Sequence, residues 1–582
     1  MKMYDNYHAT KPEGIETKKV HIVGGGIAGM ACAAFMIDDG YLPGENVTIY
    51  EKLPDVGGSM DGTEGKNGYL CRGERELEPY MECLWYLFSK IPSVDSPGMT
   101  VLDETVRANK EDPIFAHSRV LHKQGDVYAQ IKNFKTSDAL AKRMVEMLAS
   151  PEEALYDLSI EDFYGDLMDE LNQASFWICF HSMLAFKHYH SVLEMKRYMV
   201  RFLQFQPRCE ELDGILHTKY NEYDSMIKPL KKWLKERGVT FLTDCDVYDV
   251  ALDAANNTVQ ALKLRMNGGE KTVPVAETDA VIITNGSMTT NSAFGDNSHV
   301  APTNRDAADM GVFGIWQRLA TKDAKFGNPA RFSSDIDKTK WLSVFPTITD
   351  YPQFFQRVYK KYGYAPNTTT GAITVLDSAW DISMVFYAKY FPQQKENEQV
   401  FWFDALYGER VGDYVKKPAC DCTGEEILTE LLYHLGMLDM KDQLLSHANI
   451  STCMMPYITS QFMPRNGTDR PAVIPQGCTN LAFVGQYVEL PGDVVFTVET
   501  SVRTAMMAAY GLLKLDKPVL PIYEGQFDIR ILTMTAKKML GVERLTLKDL
   551  PPVNPLKLKS DLSKLLDVIN SVPQLEKGQV IY

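Results

Sequence analysis

The feature that most constrains this chain lies near its start. Residues 18–23 (KKVHIV) form a β-branched run that breaks at Gly24-Gly25-Gly26-Ile27-Ala28-Gly29 and continues into a small-residue stretch, MACAAFMIDDG. This is the pattern of strand, glycine turn and helix. Gly24 permits the tight turn, Gly26 lets the backbone approach a pyrophosphate, and Gly29 lets the helix pack closely on the strand; Ala28 in the same turn is counted among the cofactor-binding residues. The helix N-terminus supplies amide donors to the same phosphates. One such turn is a weak signal, but two further features follow. The strand NVTIYE ends in Glu51, at the spacing where a carboxylate accepts hydrogen bonds from a ribose. A second glycine turn, Val56-Gly57-Gly58-Ser59, comes directly after it. The combination predicts a Rossmann-like domain, and the second turn favours FAD over a nicotinamide dinucleotide.

Further strand-like runs lie far downstream, so the nucleotide domain is predicted to be discontinuous. VTFLTDCDVYDVAL and AVIITNGSM read as strands, and residues 479–513 read as strand, glycine turn and long helix. Asn285, Gly485 and Thr497, which sit in the turns of these pieces, and Arg75, in the charged loop after the second glycine turn, complete the expected cofactor contacts. The predicted fold is α/β: FAD-binding segments at 15–94, 221–300 and 446–515, a helix-rich substrate cap at 95–220, and a mixed β/α substrate domain at 305–445. A helical tail follows at 516–582. The cap ends in FWICFHSMLAFKHYHSVLEMKRYMVRFLQF, whose aromatic and methionine content suits a flexible apolar ligand as well as ordinary core packing.

Charge and cysteine usage narrow the setting. With 61 Lys and Arg against 76 Asp and Glu, the net charge of −15 disfavours nucleic acid as a partner. Ten cysteines, mostly inside apolar runs, read as reduced thiols of a cytoplasmic protein. Cys420-Asp-Cys422 lacks a second pair or a neighbouring histidine, so no metal site is expected; His188 and His190 read as packing or hydrogen-bonding residues. No apolar stretch is long enough to span a bilayer. Residues 511–582 hold 11 basic and 8 acidic residues, a net +3 that leaves −18 for the rest. There Leu562, Leu565, Leu566 and Ile569 mark an amphipathic helix flanked by lysines, a candidate foothold on an anionic membrane.

The stretch GYLCRGERELEPYMECLWYLFSKIPS carries a charged loop that ends at Pro79, read as the first residue of a helix with Met81, Leu84, Trp85 and Phe88 on one face. Glu76 lies just ahead of that helix, where a carboxylate is ordinarily a solvated surface group. Together with PGENVTIYEKLPDVGGSMDG, KYNEYDSMIKPL, TNGSMTTNSAFGD and CMMPYITSQFMPRNGTDRP, this stretch resembles the oleate hydratases, FAD-containing fatty acid hydratases first named myosin-cross-reactive antigens. The likeness runs from about residue 15 to 515.

The resemblance implies addition of water to a cis double bond of a free unsaturated fatty acid of the oleate or linoleate type, giving a 10-hydroxy acid. It also implies FAD without net redox change, active in its reduced form, and a homodimer. Position by position, it implies that Glu76 activates water and that Tyr198 donates the proton. Glu222 stands where the family has glutamine, and Glu74 where it has a second glycine. Thr459, Gln461 and Arg465 match the polar groups that hold the substrate carboxylate. A carboxylate at Glu222 is expected to accept the Tyr198 hydroxyl and raise its pKa. The nucleotide motifs alone leave two other readings open: a redox flavoenzyme or fatty acid isomerase, and a non-catalytic lipid-binding flavoprotein.

Overall fold

A computed structural model describes residues 4, 7–73, 75–116, 119–305, 312–546 and 570–571. Four apolar runs, VHIV, VTIY, AVIIT and LAFV, are each long enough for one strand and apolar on both faces, which suits a parallel sheet covered on both sides. They form such a sheet with Thr240–Leu242. The spatial order is Leu481–Val484, Ala280–Thr284, Val20–Val23, Val47–Tyr50, Thr240–Leu242, all parallel. Val20 sits level with both Ala280 and Val47. Helix Ile27–Asp38, hydrophobic all round, is sandwiched between this sheet and the closing helix Val498–Leu513. The discontinuous Rossmann-like architecture read from sequence is therefore what the chain adopts.

The second layer is an eight-stranded mixed sheet with order Ala293–Gly295, Ala448–Met455, Trp341–Thr349, Glu398–Ala405, Ser383–Phe386, Ile373–Val375, Val120–His122, Asp126–Val127. Its pairings are antiparallel except for Ile373–Val375 with Val120–His122. Trp341–Thr349 is buried along almost its whole length, as a central strand covered on both faces must be. This sheet does not follow the segment boundaries read from sequence. Ala448–Met455 belongs to it rather than to the parallel sheet, so residues 446–515 divide between the two layers. The helix-rich block 95–220 supplies its far edge. Cys245–Leu252 instead joins a three-stranded antiparallel sheet with Val259–Met266 and Gly269–Pro274. Periodicity identifies strands, but it carries no information on which distant strand completes which sheet.

The helices between residues 95 and 220 include Ser175–Leu184 and Val192–Arg201. Val192–Arg201 begins where Ser191 accepts the Glu194 amide. Helix Glu82–Phe88 starts later than Pro79, with Met81 as its N-cap. Its Cys83, Leu84, Trp85, Tyr86, Leu87 and Phe88 are all buried, so it has no polar face. The ten cysteines are free thiols, eight of them buried. Among the described residues no helix is long and apolar enough to cross a membrane. The tail helix marked by Leu562 and Ile569 lies outside the described residues, as does Glu74.

Candidate active site

The two glycine turns meet. Gly57 donates its amide to the Gly25 carbonyl at 3.0 Å, and Gly26 bridges to Gly57. Gly24 has φ +107°, where a Cβ would lie 2.8 Å from the Thr284 hydroxyl. At Gly29 a Cβ would lie 2.2 Å from the Gly24 carbonyl oxygen, so only glycine lets the helix sit this close to the strand. Helix Ile27–Asp38 has no side-chain cap at Gly26 and no acidic residue in its first turn. Its leading amides therefore remain available to an anion.

These turns line a cavity of about 710 Å³. Gly24, Gly26, Ala28, Glu51, Gly57, Gly58, Ser59 and Gly485 are in its wall, and so are Arg72, Thr284, Gln486 and Ser501, which the sequence reading did not select. The Glu51 carboxylate accepts the amides of Gly25 at 2.8 Å and Leu53 at 2.9 Å. Burial raises its pKa while those amides pull it back, and each oxygen keeps a lone pair for a further donor. The remaining predicted cofactor residues stand behind the wall. Gly29 packs the helix, Thr497 caps Val498–Leu513, and Arg75 Nη2 donates to the Ser59 and Arg72 carbonyls. Asn285 donates to the Tyr487 carbonyl. Buried Thr284 Oγ1 and Asn285 Oδ1, where the strand Ala280–Thr284 ends, have no hydrogen-bond partner among the described residues. A cradle of glycines, an uncapped helix, an acidic strand end and orphaned polar atoms is the donor and acceptor set that a dinucleotide requires.

Glu76 is half-buried on the loop between Gly68–Leu70 and Glu82–Phe88. The loop is anchored on both sides of it, by Arg75 to the second glycine turn and by Leu77, whose backbone pairs with Leu216 at 2.9 and 2.8 Å. Tyr198 is fully buried on Val192–Arg201. Its ring packs among Phe186, Phe202 and Phe462 with centroids 5.2–5.9 Å away, and its oxygen accepts the Phe496 amide at 2.6 Å. Burial, reinforced by Glu194, raises its pKa well above the ordinary value, and the Phe496 amide opposes that rise.

The expected contact between Glu222 and Tyr198 is not what the structure holds. Glu222, buried just ahead of the turn Tyr223–Ile227, accepts the hydroxyl of Tyr390 at 3.2 Å. Asn221 donates its backbone amide and its side-chain amide to the carbonyl of the same Tyr390.

Thr459, Gln461 and Arg465 lie together around the turn Ser460–Phe462, all fully buried. Thr459 donates to the Thr339 carbonyl and Gln461 to that of Ile458. Arg465 is ion-paired on two sides, to Glu194 at 2.8 Å and Glu489 at 2.9 Å, which leaves Nη2 without a partner among the described residues. Arg470, which the sequence reading passed over, also pairs with Glu194 at 3.0 Å and keeps Nε and Nη1 unpartnered. Burial pushes Glu194 up, but Arg470, Arg465 and Arg197 outweigh it and hold the carboxyl at about 2. Arg470, buried beside Arg465, is itself lowered to about 10. His190 accepts the Lys187 amide through Nδ1, a hydrogen-bonding role as expected.

Comparison with known proteins agrees with the motifs. A family model described as "MCRA family" matches residues 17–510. The oleate hydratase of Streptococcus pyogenes serotype M49 (strain NZ131) is 36% identical over 541 residues, spanning 90% of this chain and 91% of that protein. The linoleate hydratase of Lactiplantibacillus plantarum is 32% identical over 535 residues, spanning 84% and 93%. Among solved structures, an oxidoreductase from Methanosarcina mazei superposes with a TM-score of 0.47 at 12% identity, covering 84% of this chain and 99% of its own. On the strength of the family model and these two relatives, the chain belongs to the MCRA family.

Proposed function

We propose that this protein is a fatty acid hydratase that adds water across the cis double bond of a free oleate- or linoleate-type acid, giving a 10-hydroxy acid. The observation that carries this reading is a single buried phenol, Tyr198, held among aromatic rings and touched at its oxygen by one backbone amide. An isolated alkene is a weak base, so its protonation needs an acid in a dry, apolar chamber and stabilisation of the phenolate left behind. The Phe496 amide supplies that stabilisation. In this reading the Tyr198 proton goes to one alkene carbon. Water attacks the other and gives its proton to the Glu76 carboxylate, which also offsets the developing cationic charge. Return of that proton to Tyr198 through solvent closes the cycle. Glu222 acts at one remove, by fixing Tyr390 beside the Glu76 loop.

The substrate carboxylate is assigned to the buried turn of Thr459, Gln461 and Arg465. Arg465 Nη2 and the two unpartnered donors of Arg470 give it charge-assisted hydrogen bonds. FAD is the group the cradle takes, with Glu51 toward its ribose and Gly24, Gly26, Ala28, Gly57, Gly58, Ser59 and Gly485 around its phosphates and ring. Bound there in its reduced form, it shapes the site without net oxidation or reduction. We further infer a homodimer and a peripheral membrane foothold in the tail. Helix Ile529–Leu540 supports the latter, since it leaves Ile529, Leu532 and Leu540 40–46% exposed beside Lys537 and Lys538.

The test is product analysis by mass spectrometry on oleate and linoleate for wild type, Glu76→Gln and Tyr198→Phe. At least 100-fold less hydroxy acid from each variant than from wild type is expected. Equal turnover in all three would overturn the assignment of acid and base.

A further inference from the structure

The geometry points to Arg201 as the residue that sets the acid and the base of the reaction in register. Arg201 lies one helical turn beyond Tyr198 on Val192–Arg201 and is 4% exposed. Its guanidinium makes two sets of contacts that lead to the two reacting groups.

The first set reaches the Glu76 loop. Nη2 donates to the Tyr80 carbonyl at 2.8 Å and lies 3.2 Å from the Glu78 carboxylate, two residues past Glu76. Glu78 in turn accepts the Tyr80 amide at 2.6 Å, and its own carbonyl accepts the Trp85 indole N–H at 2.9 Å. The loop is thus gripped directly behind the proposed base. The second set closes a ring back to Tyr198. Arg201 Nε donates to Asp493 Oδ1 at 3.1 Å, and that oxygen accepts the Val494 amide at 2.9 Å. Two residues further on, the Phe496 amide donates to the Tyr198 oxygen. Asp493 Oδ2 pairs with Arg503 at 3.2 Å, which fixes it to the closing helix behind the cradle.

The path is therefore Tyr198, Arg201, Asp493, Phe496 and back to Tyr198, with a branch through Tyr80 and Glu78 toward Glu76. A planar fork fixes its two donor directions rigidly, whereas the three donors of an ammonium rotate on a flexible stem. Arg201 touches neither substrate nor reacting atoms in this scheme. It acts through Tyr198 and Glu76, and so is a positioning residue. A misplacement of about 1 Å in such a pair costs on the order of 100-fold in rate.

This inference rests on Glu76 and Tyr198 being base and acid. Its test is initial rates on oleic acid, normalised to bound FAD, for Arg201→Lys, Tyr198→Phe and the double variant. Arg201→Lys keeps the charge and loses the fork. We expect kcat to fall by about 30–100-fold with KM within threefold of wild type. In the Tyr198→Phe background the same change should lower the residual rate by much less than in wild type, under about tenfold, because one of the two groups that Arg201 sets in register is already gone.

Multiplicative losses in the double variant, or an unchanged kcat per bound FAD, would overturn the positioning role, since a general loss of structure acts equally in both backgrounds. If Arg201→Lys fails to load FAD, Asp493→Asn cuts the same path one link later and takes its place with the same expectations. Wild-type turnover in Tyr198→Phe and Glu76→Gln would instead bring down the underlying assignment, and this inference with it.

Discussion

Replacing Tyr198 by Phe tests the proposed acid with little collateral change. The ring volume is kept, so the contacts with Phe186, Phe202 and Phe462 survive and no cavity opens. What disappears is one hydroxyl, which removes the transferable proton and leaves the Phe496 amide without its acceptor. An orphaned buried N–H costs roughly 1–3 kcal/mol of stability. Against a typical unfolding free energy of about 5–15 kcal/mol, that leaves nearly all molecules folded. Loss of a general acid lowers the rate by about 10²–10⁴-fold. The two effects thus separate cleanly: urea unfolding should shift modestly, while hydroxy acid formed per bound FAD should fall by at least 100-fold. Turnover within threefold of wild type, or a loss that vanishes on normalising to flavin content, would refute the role of this phenol.

Four further outcomes follow from particular contacts. Gly29→Val places side-chain atoms against the Gly24 carbonyl, so the purified protein should lose most of its flavin absorbance near 450 nm; full loading would contradict the cradle. Burial raises Glu78 and Glu499 to about 7, so the folded chain keeps protons that the unfolded chain releases above its ordinary carboxyl pKa of 4.5. Stability from these groups is therefore fully present at and below about pH 4.5, falls up to about pH 7 and is level above; Glu78→Gln should flatten the fall in urea midpoint between pH 5 and 7, and an unchanged slope would contradict it. Arg465→Met breaks the pairs with Glu194 and Glu489 and should cost about 3–5 kcal/mol in urea unfolding, with KM for oleate rising more than kcat falls; an unchanged midpoint would show the ion pairs to be dispensable. Cutting the chain at about residue 515 should reduce co-sedimentation with anionic liposomes, and undiminished binding would dismiss the tail as the foothold.

How much of this was legible in the sequence depends on how local each feature is. The strand, turn and helix at 20–38 and the acid at Glu51 are determined by contiguous residues, and they stand where the pattern puts them. The cradle wall added by Thr284 and Arg72 was not legible: both lie in stretches that carry the family likeness, but no spacing rule ties either residue to a dinucleotide. Thr284 reveals itself only where Gly24 closes against it. The ion pairs that occupy Arg465 join it to Glu194 across 271 positions, and Arg201 meets Asp493 across 292. No spacing rule reports such contacts. The same holds for Glu222, whose partner Tyr390 comes from a distant loop. The boundary error at 446–515 has this origin as well. Ala448–Met455 reads as a strand, but its neighbours, Ala293–Gly295 and Trp341–Thr349, are chosen by tertiary register. Helix Glu82–Phe88 starts past Pro79 because the Glu499 carboxylate accepts the Cys83 and Leu84 amides and so caps the helix from another element.

The central claim is that the chain hydrates rather than oxidises its substrate. Purified protein with FAD and a reductant, given free oleic acid in oxygen-18 water, should yield a hydroxy acid carrying one solvent oxygen, with the flavin spectrum unchanged by turnover. No solvent oxygen in any product across a panel of unsaturated acids, or anaerobic bleaching of oxidised flavin by the substrate, would contradict it.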